Sequence, residues 1–211
     1  IELYQQALGR DPAFARAHAA LASAYVVLPG YSEAEDDEEK YLRMAEESAR
    51  QALAIDPKIG EAHAVLAQVN SDRGNLLDAE SGFFFAISLE PNAPTAHHWY
   101  SILLSKVGRL DEALEQARRA FELDPSSPIL ASNLANAYML RGEGTQAVRY
   151  TKLAQQLGLD NRKNGVEAMV ALNEGRWEDA KRLFGEQDLP PEIKTLIPQW
   201  IDAIADPSKR P

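Results

Sequence analysis

The sequence predicts an all-α protein built from stacked repeats of two helices. Three prolines, Pro57, Pro91 and Pro125, lie 34 residues apart. Each follows an acidic residue at the end of an apolar stretch, as in Leu123-Asp124-Pro125, where a proline cannot continue the helix. A period of this length is typical of repeat arrays, whose function lies in the shape and lining of one long face.

The first helix of each repeat has large and small residues at fixed positions. Predicted core positions hold His18, His63, His97 and Ala131, and three residues later Leu21, Leu66, Tyr100 and Leu134. The next position is small, so that two helices can approach closely: Ala22, Ala67, Ser101 and Ala135. Three glycines are predicted to end these helices in the left-handed conformation: Gly74, Gly108 and Gly142.

The second helix of each repeat carries a face of small residues at spacings of three and four. Its columns hold Ala45, Ala79, Ala113 and Ala147, then Ala49, Phe83, Ala117 and Thr151, then Ala52, Ala86, Ala120 and Ala154. We expect these columns to be buried against the neighbouring helices.

This order of residue types resembles the tetratricopeptide repeat, which implies a right-handed α-α superhelical solenoid. On that register residues 1–211 form a single array. It comprises a half repeat at 1–12, repeats at about 13–57, 58–91, 92–125, 126–159 and 160–188, and a capping helix at 191–205. Because the chain starts at Ile1 in the middle of a repeat, we expect it to be an excerpt from a larger protein.

The predicted capping helix has an apolar side that we expect to cover the open end of the array. That side is formed by Ile193, Leu196, Ile197, Trp200, Ile201 and Ile204.

The composition of the chain disfavours nucleic acid and membrane partners. The net charge of -10 and pI near 4.9 disfavour nucleic acid and anionic membranes, which are bound mainly by clustered Lys and Arg. The chain has no cysteine and no apolar run long enough to span a bilayer. We expect a cytoplasmic location.

The sequence gives no support for a metal site, a cofactor or catalytic residues. His18, His63 and His97 share one repeat position, so stacking separates them by about 10 Å instead of gathering them around one ion. The acidic stretch at 33–39 lacks the ligand spacing of a calcium loop. We expect a solvated loop leading into an acidic helix start, with docking of a basic partner as the alternative.

The resemblance implies a peptide-binding groove lined by first-helix positions. Trp99 and Ile102 would hold apolar anchors of the peptide, although Trp99 packing on its neighbouring helix is the alternative. Val26 and Met169 take equivalent positions. The predicted lining consists of Arg16, Ser23, Glu61, Gln68, Asp72, His98, Trp99, Ile102, Lys106, Asn133, Asn136, Met139 and Arg162.

The resulting hypothesis is a non-enzymatic scaffold or sensor module that binds a protein or peptide segment. The repeat around Thr95-Ala96-His97-His98-Trp99-Tyr100 looks like tetratricopeptide regions that follow winged-helix or cyclase domains in bacterial signalling proteins. The alternative is a self-association arm that forms homo-oligomers through an open N-terminal repeat edge and regulates such an upstream domain.

Overall fold

The computed structural model describes residues 1–28, 38–159, 165–187 and 189–206. These residues form twelve α-helices joined by turns, and no strand occurs among them. The all-α prediction is therefore confirmed. The chain divides into two compact units, Ile1–Gly108 and Arg109–Pro211, which we call unit 1 and unit 2. The single array over 1–211 stays a prediction.

In unit 1 the helices pack as consecutive pairs. Helix α2 packs on α3 and α4 on α5, while α2, α4 and α6 lie side by side. The first helices of successive repeats thus form one continuous layer. The helices of unit 1 are α1 (Glu2–Arg10), α2 (Ala15–Val27), α3 (Glu38–Ile55), α4 (Gly60–Asp72), α5 (Leu76–Leu89) and α6 (Pro94–Lys106).

Unit 2 repeats this arrangement. Helix α8 packs on α9 and α10 on α11, α8 also contacts α10, and α12 packs on α11. The helices of unit 2 are α7 (Leu110–Leu123), α8 (Pro128–Leu140), α9 (Gly144–Gln156), α10 (Gly165–Asn173), α11 (Trp177–Gly185) and α12 (Pro191–Ala205).

The small-residue columns of the second helices are buried as predicted. Phe83 has no exposed surface, and Thr151 is half-buried. Alanine packs without a bulky side chain, so the columns allow neighbouring helices to approach closely. The fully or almost fully buried alanines are Ala45, Ala49, Ala52, Ala79, Ala86, Ala113, Ala117, Ala120, Ala147 and Ala154.

The turns follow the predicted glycine and proline chemistry. Gly74, Gly108 and Gly142 have φ between 77° and 82°, the left-handed conformation that glycine adopts without a Cβ clash. Before the prolines, Asp56 Oδ1 accepts from the backbone N–H of Lys58 at 2.9 Å, which fixes the turn between repeats. Asp11 and Asp124 make the same contact two residues ahead.

Glu90 replaces aspartate in one of these turns and has a different role. Its Oε1 accepts from the backbone N–H of Gly60 at 3.2 Å, at the start of α4. A Cβ on Gly60 would lie 2.9 Å from the Glu90 side chain. The turn after α5 therefore satisfies an unpaired N–H at the start of α4, a contact that requires glycine at position 60.

Tyrosine hydroxyls link the second helix of one repeat to the first helix of the next. Tyr100 donates to Glu80 Oε1 at 3.1 Å, and Arg118 Nε donates to the Tyr138 hydroxyl at 3.0 Å. In each pair the residues are 20 positions apart, as in the bond from Gln5 to Tyr25. These bonds support the stacking of repeats within each unit.

Helix α12 differs from the expectation that its whole apolar side faces the array. Ile201 has no exposed surface and lies in a cluster with residues of α10 and α11. Four other apolar residues of the helix are exposed: Ile193, Leu196, Trp200 and Ile204. The expectation is wrong for these four, because α12 is apolar over more of its circumference than one neighbouring layer can cover.

We expect Gly82→Ala to destabilise the fold. A Cβ at this position of α5 would lie 2.9 Å from the Cβ of Ala67 in α4, closer than side chains pack. Overpacking should lower the free energy of unfolding by about 1–3 kcal/mol, measured by urea denaturation. Gly9→Ala in α1 is the matched control. Nothing lies within 4 Å of its added Cβ, so it should leave stability unchanged or raise it. Equal effects of both variants would contradict the close approach.

Candidate functional site

The layer formed by α2, α4 and α6 carries paired polar side chains from the predicted lining. Ser23 of α2 donates from Oγ to Glu61 Oε1 of α4 at 2.8 Å. Both side chains are half-buried. This bond holds the Glu61 carboxylate in one position at the start of α4.

A second group of bonds joins α4 to α6. Gln68 Nε2 donates to both carboxylate oxygens of Asp72, at 2.9 and 3.0 Å. Lys106 Nζ of α6 lies 3.5 Å from Asp72 Oδ1. We call the five residues Ser23, Glu61, Gln68, Asp72 and Lys106 the polar line. It crosses three adjacent helices of unit 1 and consists entirely of residues that the sequence placed in the groove.

The other predicted lining residues of unit 1 differ in exposure. Arg16 is exposed, while Ile102 and His98 are half-buried. Burial lowers the pKa of His98 to about 4, because removal from water disfavours the imidazolium. His98 is therefore neutral at pH 7 and adds no charge to this layer.

Trp99 departs from the predicted role of a groove anchor. Its side chain is only 6% exposed, so it packs inside the protein and offers a partner almost no surface. This corresponds to the alternative that the sequence left open. Trp99 buries apolar area of the fold itself, and Ile102 is left as the accessible apolar residue of the pair.

In unit 2 the predicted lining residues are spread between surface and pocket. Asn136 is exposed and Asn133 half-buried. Met139 and Met169 line one pocket of about 410 Å³, together with Phe184. Arg162 lies outside the described residues. The role of these residues in a groove stays a prediction.

The histidines at the shared repeat position have a structural role that sequence reasoning missed. His18, His63 and His97 each place Nε2 within hydrogen-bond distance of the carbonyl oxygen of a proline six residues earlier. The distances are 2.9, 3.0 and 3.1 Å, to Pro12, Pro57 and Pro91. Because a carbonyl oxygen can only accept, the Nε2–H group donates here and fixes the turn to the helix that follows. The shared six-residue spacing was a visible signal for this bond.

The acidic segment is described only at its end. Glu38 and Glu39 lie in the first turn of α3, as expected, whereas residues 33–37 lie outside the described part. Arg73, directly after α4, contacts Glu39 at 3.0 Å and Glu46 at 2.7 Å. The hydrogen bond from Arg73 lowers the pKa of the Glu46 carboxyl. Across the described ranges, no three His, Cys, Asp or Glu residues are grouped to hold a metal ion.

The paired helices and stacked first helices define an α-helical repeat protein. Residues 101–158 match the family model described as tetratricopeptide repeat. A thermophilic TPR protein of Thermus thermophilus is 28% identical with a TM-score of 0.53, over 65% of this chain and 71% of that one. Residues 101–158 are therefore similar to the tetratricopeptide repeat, and the structural match extends this likeness to 65% of the chain.

Two further structures share the fold. PilF of Pseudomonas aeruginosa has a TM-score of 0.60 at 21% identity, covering 95% of this chain and 86% of that chain. The APC/C hetero-tetramer Cut9-Hcn1 gives 0.62 at 15% identity, over 98% of this chain and 40% of that chain. At these identities the likeness supports the superhelical repeat fold alone.

A curated plant protein also matches a short stretch. A pentatricopeptide repeat-containing protein of Arabidopsis thaliana is 31% identical over 78 residues, which is 36% of this chain. The match spans 11% of the plant protein's length.

Among the helices that the structure describes, none has the length and apolar character of a membrane-spanning segment.

We expect acid to destabilise the protein partly through His98. The folded side chain stays neutral down to about pH 4, whereas the unfolded one takes up a proton near its usual pKa of 6.5. The free energy of unfolding should therefore fall between pH 6.5 and 4, by up to about 3 kcal/mol from this residue. His98→Gln should lose less stability over that range in urea denaturation at each pH. Parallel pH curves for the two proteins would contradict the burial of His98.

Proposed function

We propose that this chain is a non-enzymatic protein-interaction module whose peptide-binding surface is the layer of α2, α4 and α6. The observation that carries the proposal is the polar line. In it Ser23 is bonded to Glu61 between α2 and α4, and Asp72 is bonded to Gln68 within α4 and to Lys106 of α6. Tetratricopeptide folds are interaction scaffolds, and stacked first helices give them an extended surface.

The polar line suits hydrogen bonding to a peptide backbone. A carboxylate accepts up to about four hydrogen bonds, so Glu61 and Asp72 can accept from peptide N–H groups besides their present partners. Ser23 and Gln68 hold these carboxylates in place before binding. Such side chains lose little further freedom when a partner docks, which favours affinity. Ile102 adds a half-buried apolar contact beside the line.

Within this proposal, the module serves as the sensor or scaffold part of a larger cytoplasmic protein. The resemblance of the sequence Thr95-Ala96-His97-His98-Trp99-Tyr100 to repeat regions of bacterial signalling proteins motivates that context. The net charge of -10 favours protein partners over nucleic acid.

Peptides selected from a random library displayed on phage test the proposal. Asp72→Asn and Glu61→Gln each remove a charge-assisted acceptor while keeping the side-chain shape. Loss of such a bond is worth about 1.5–3 kcal/mol, so affinity for the selected peptides should fall at least about tenfold, measured by isothermal calorimetry.

Glu47→Gln is the matched control, because Glu47 is an exposed carboxylate on α3, outside this layer. It should bind the selected peptides like the parent protein. If Asp72→Asn and Glu61→Gln also bind like the parent protein, the layer of first helices is not the binding surface.

A further inference from the structure

Helix α12 has an exposed apolar face that the proposed peptide site does not use. We call its residues the outer stripe: Ile193, Leu196, Ile197, Trp200 and Ile204. Leu196 is 56% and Trp200 52% exposed, and Ile197 is half-buried. Spacings of three, four and seven place all five on one side of the helix. A concavity of about 730 Å³ runs along this side.

We propose that the outer stripe binds a second copy of this chain, with the two α12 helices packed antiparallel around a twofold axis. A twofold interface uses the same surface on both copies, so the surface must be self-complementary. The outer stripe meets this condition. About a midpoint between Pro198 and Gln199, Ile193 falls opposite Ile204 of the second copy, and Ile197 falls opposite Trp200 of the second copy.

The charge around the outer stripe is mixed. A chain of net charge -10 repels its own copies, and basic groups at a contact surface reduce that repulsion. Around the outer stripe, Glu192, Asp202 and Asp206 lie with Lys194 and with Lys181, whose Nζ lies 2.7 Å from both Asp202 Oδ1 and Glu178 Oε1.

Antiparallel packing also improves the electrostatics between the two copies. Lys194, near the start of α12, would lie near the end of the other α12, where carbonyl groups and Asp206 are negative. Antiparallel helix dipoles attract each other in the same way. A parallel pair of α12 helices would instead place like charges and like ends of the helix dipoles next to each other.

The exposed area sets the expected strength. The stripe exposes on the order of 400 Å² of apolar surface in each copy, a size that in monomers is often functional. An interface of about 800 Å² in total is smaller than the roughly 1,200–2,000 Å² of stable specific complexes and corresponds to a weak, transient contact. Because the buried area is small, we expect a weak and reversible dimer with a dissociation constant of about 10–500 µM.

Sedimentation velocity of the full chain across micromolar to millimolar concentrations tests the dimer. The parent protein should shift from monomer to dimer, and Leu196→Glu should remain monomeric. Leu77→Glu is the matched control, because Leu77 of α5 is 82% exposed yet lies outside the stripe. It should dimerise like the parent. Leu196 is a surface residue, so we expect Leu196→Glu to fold. Circular dichroism checks that each variant is folded.

Crosslinking tests the antiparallel geometry. Because the chain has no cysteine, one introduced cysteine gives a single labelling site in each copy. In the antiparallel pair the two copies of position 197 lie about 9 Å apart and those of position 193 about 18 Å apart. A bis-maleimide spanning about 10 Å should therefore link Ile197→Cys into dimers and leave Ile193→Cys unlinked.

Three results would overturn the proposal. They are a parent protein that stays monomeric at every concentration, equal loss of dimer in Leu196→Glu and Leu77→Glu, and equal crosslinking at positions 193 and 197. None of them affects the peptide site, because the polar line lies in unit 1.

Discussion

Close packing of helices at small residues is the constraint on which the rest of the structure depends. Fully buried alanines such as Ala79 and Ala86 let the second helices lie close to their neighbours. Gly82 and Ala67 bring α4 and α5 together so closely that one added methyl group would collide. This packing sets where the first helices lie. The bonds from Ser23 to Glu61 and from Lys106 to Asp72 are possible only because α2, α4 and α6 are adjacent.

Much of this architecture could be predicted from the sequence, because it follows rules that repeat with a period. Left-handed glycines such as Gly74 and buried columns such as that of Ala79 need only local conformation and helical spacing. Contacts across a turn are harder to predict. The repeat position predicts that His63 is a packing residue, but its bond to the Pro57 carbonyl depends on the path of the turn between them. The repeat position of a residue predicts which face of the helix it lies on, but it does not predict which residue its side chain contacts.

The candidate site shows the same limit. Sequence position selected Ser23, Glu61 and Asp72, but which of them bond depends on how far neighbouring helices are offset along their axes. Trp99 shows a second difficulty, since its position predicts a direction while its 6% exposure depends on what surrounds it. A large aromatic ring at a groove position can be buried as readily as exposed, because burial of its area is favourable in either place. How deeply a side chain is buried depends on the residues packed around it, and not on its repeat position alone.

The polar line and the outer stripe differ in the physics of recognition. Hydrogen bonds among the polar line residues hold their side chains in position, so the proposed peptide binding there would depend on direction and would discriminate between peptides. The outer stripe has apolar contacts without direction, and its strength follows the area buried. Self-association through such a surface responds mainly to concentration. The polar line and the outer stripe share no residue, so the proposed dimer would present two of the proposed peptide sites. A bivalent partner long enough to span both sites would then bind with a higher apparent affinity, without any new contact at the polar line.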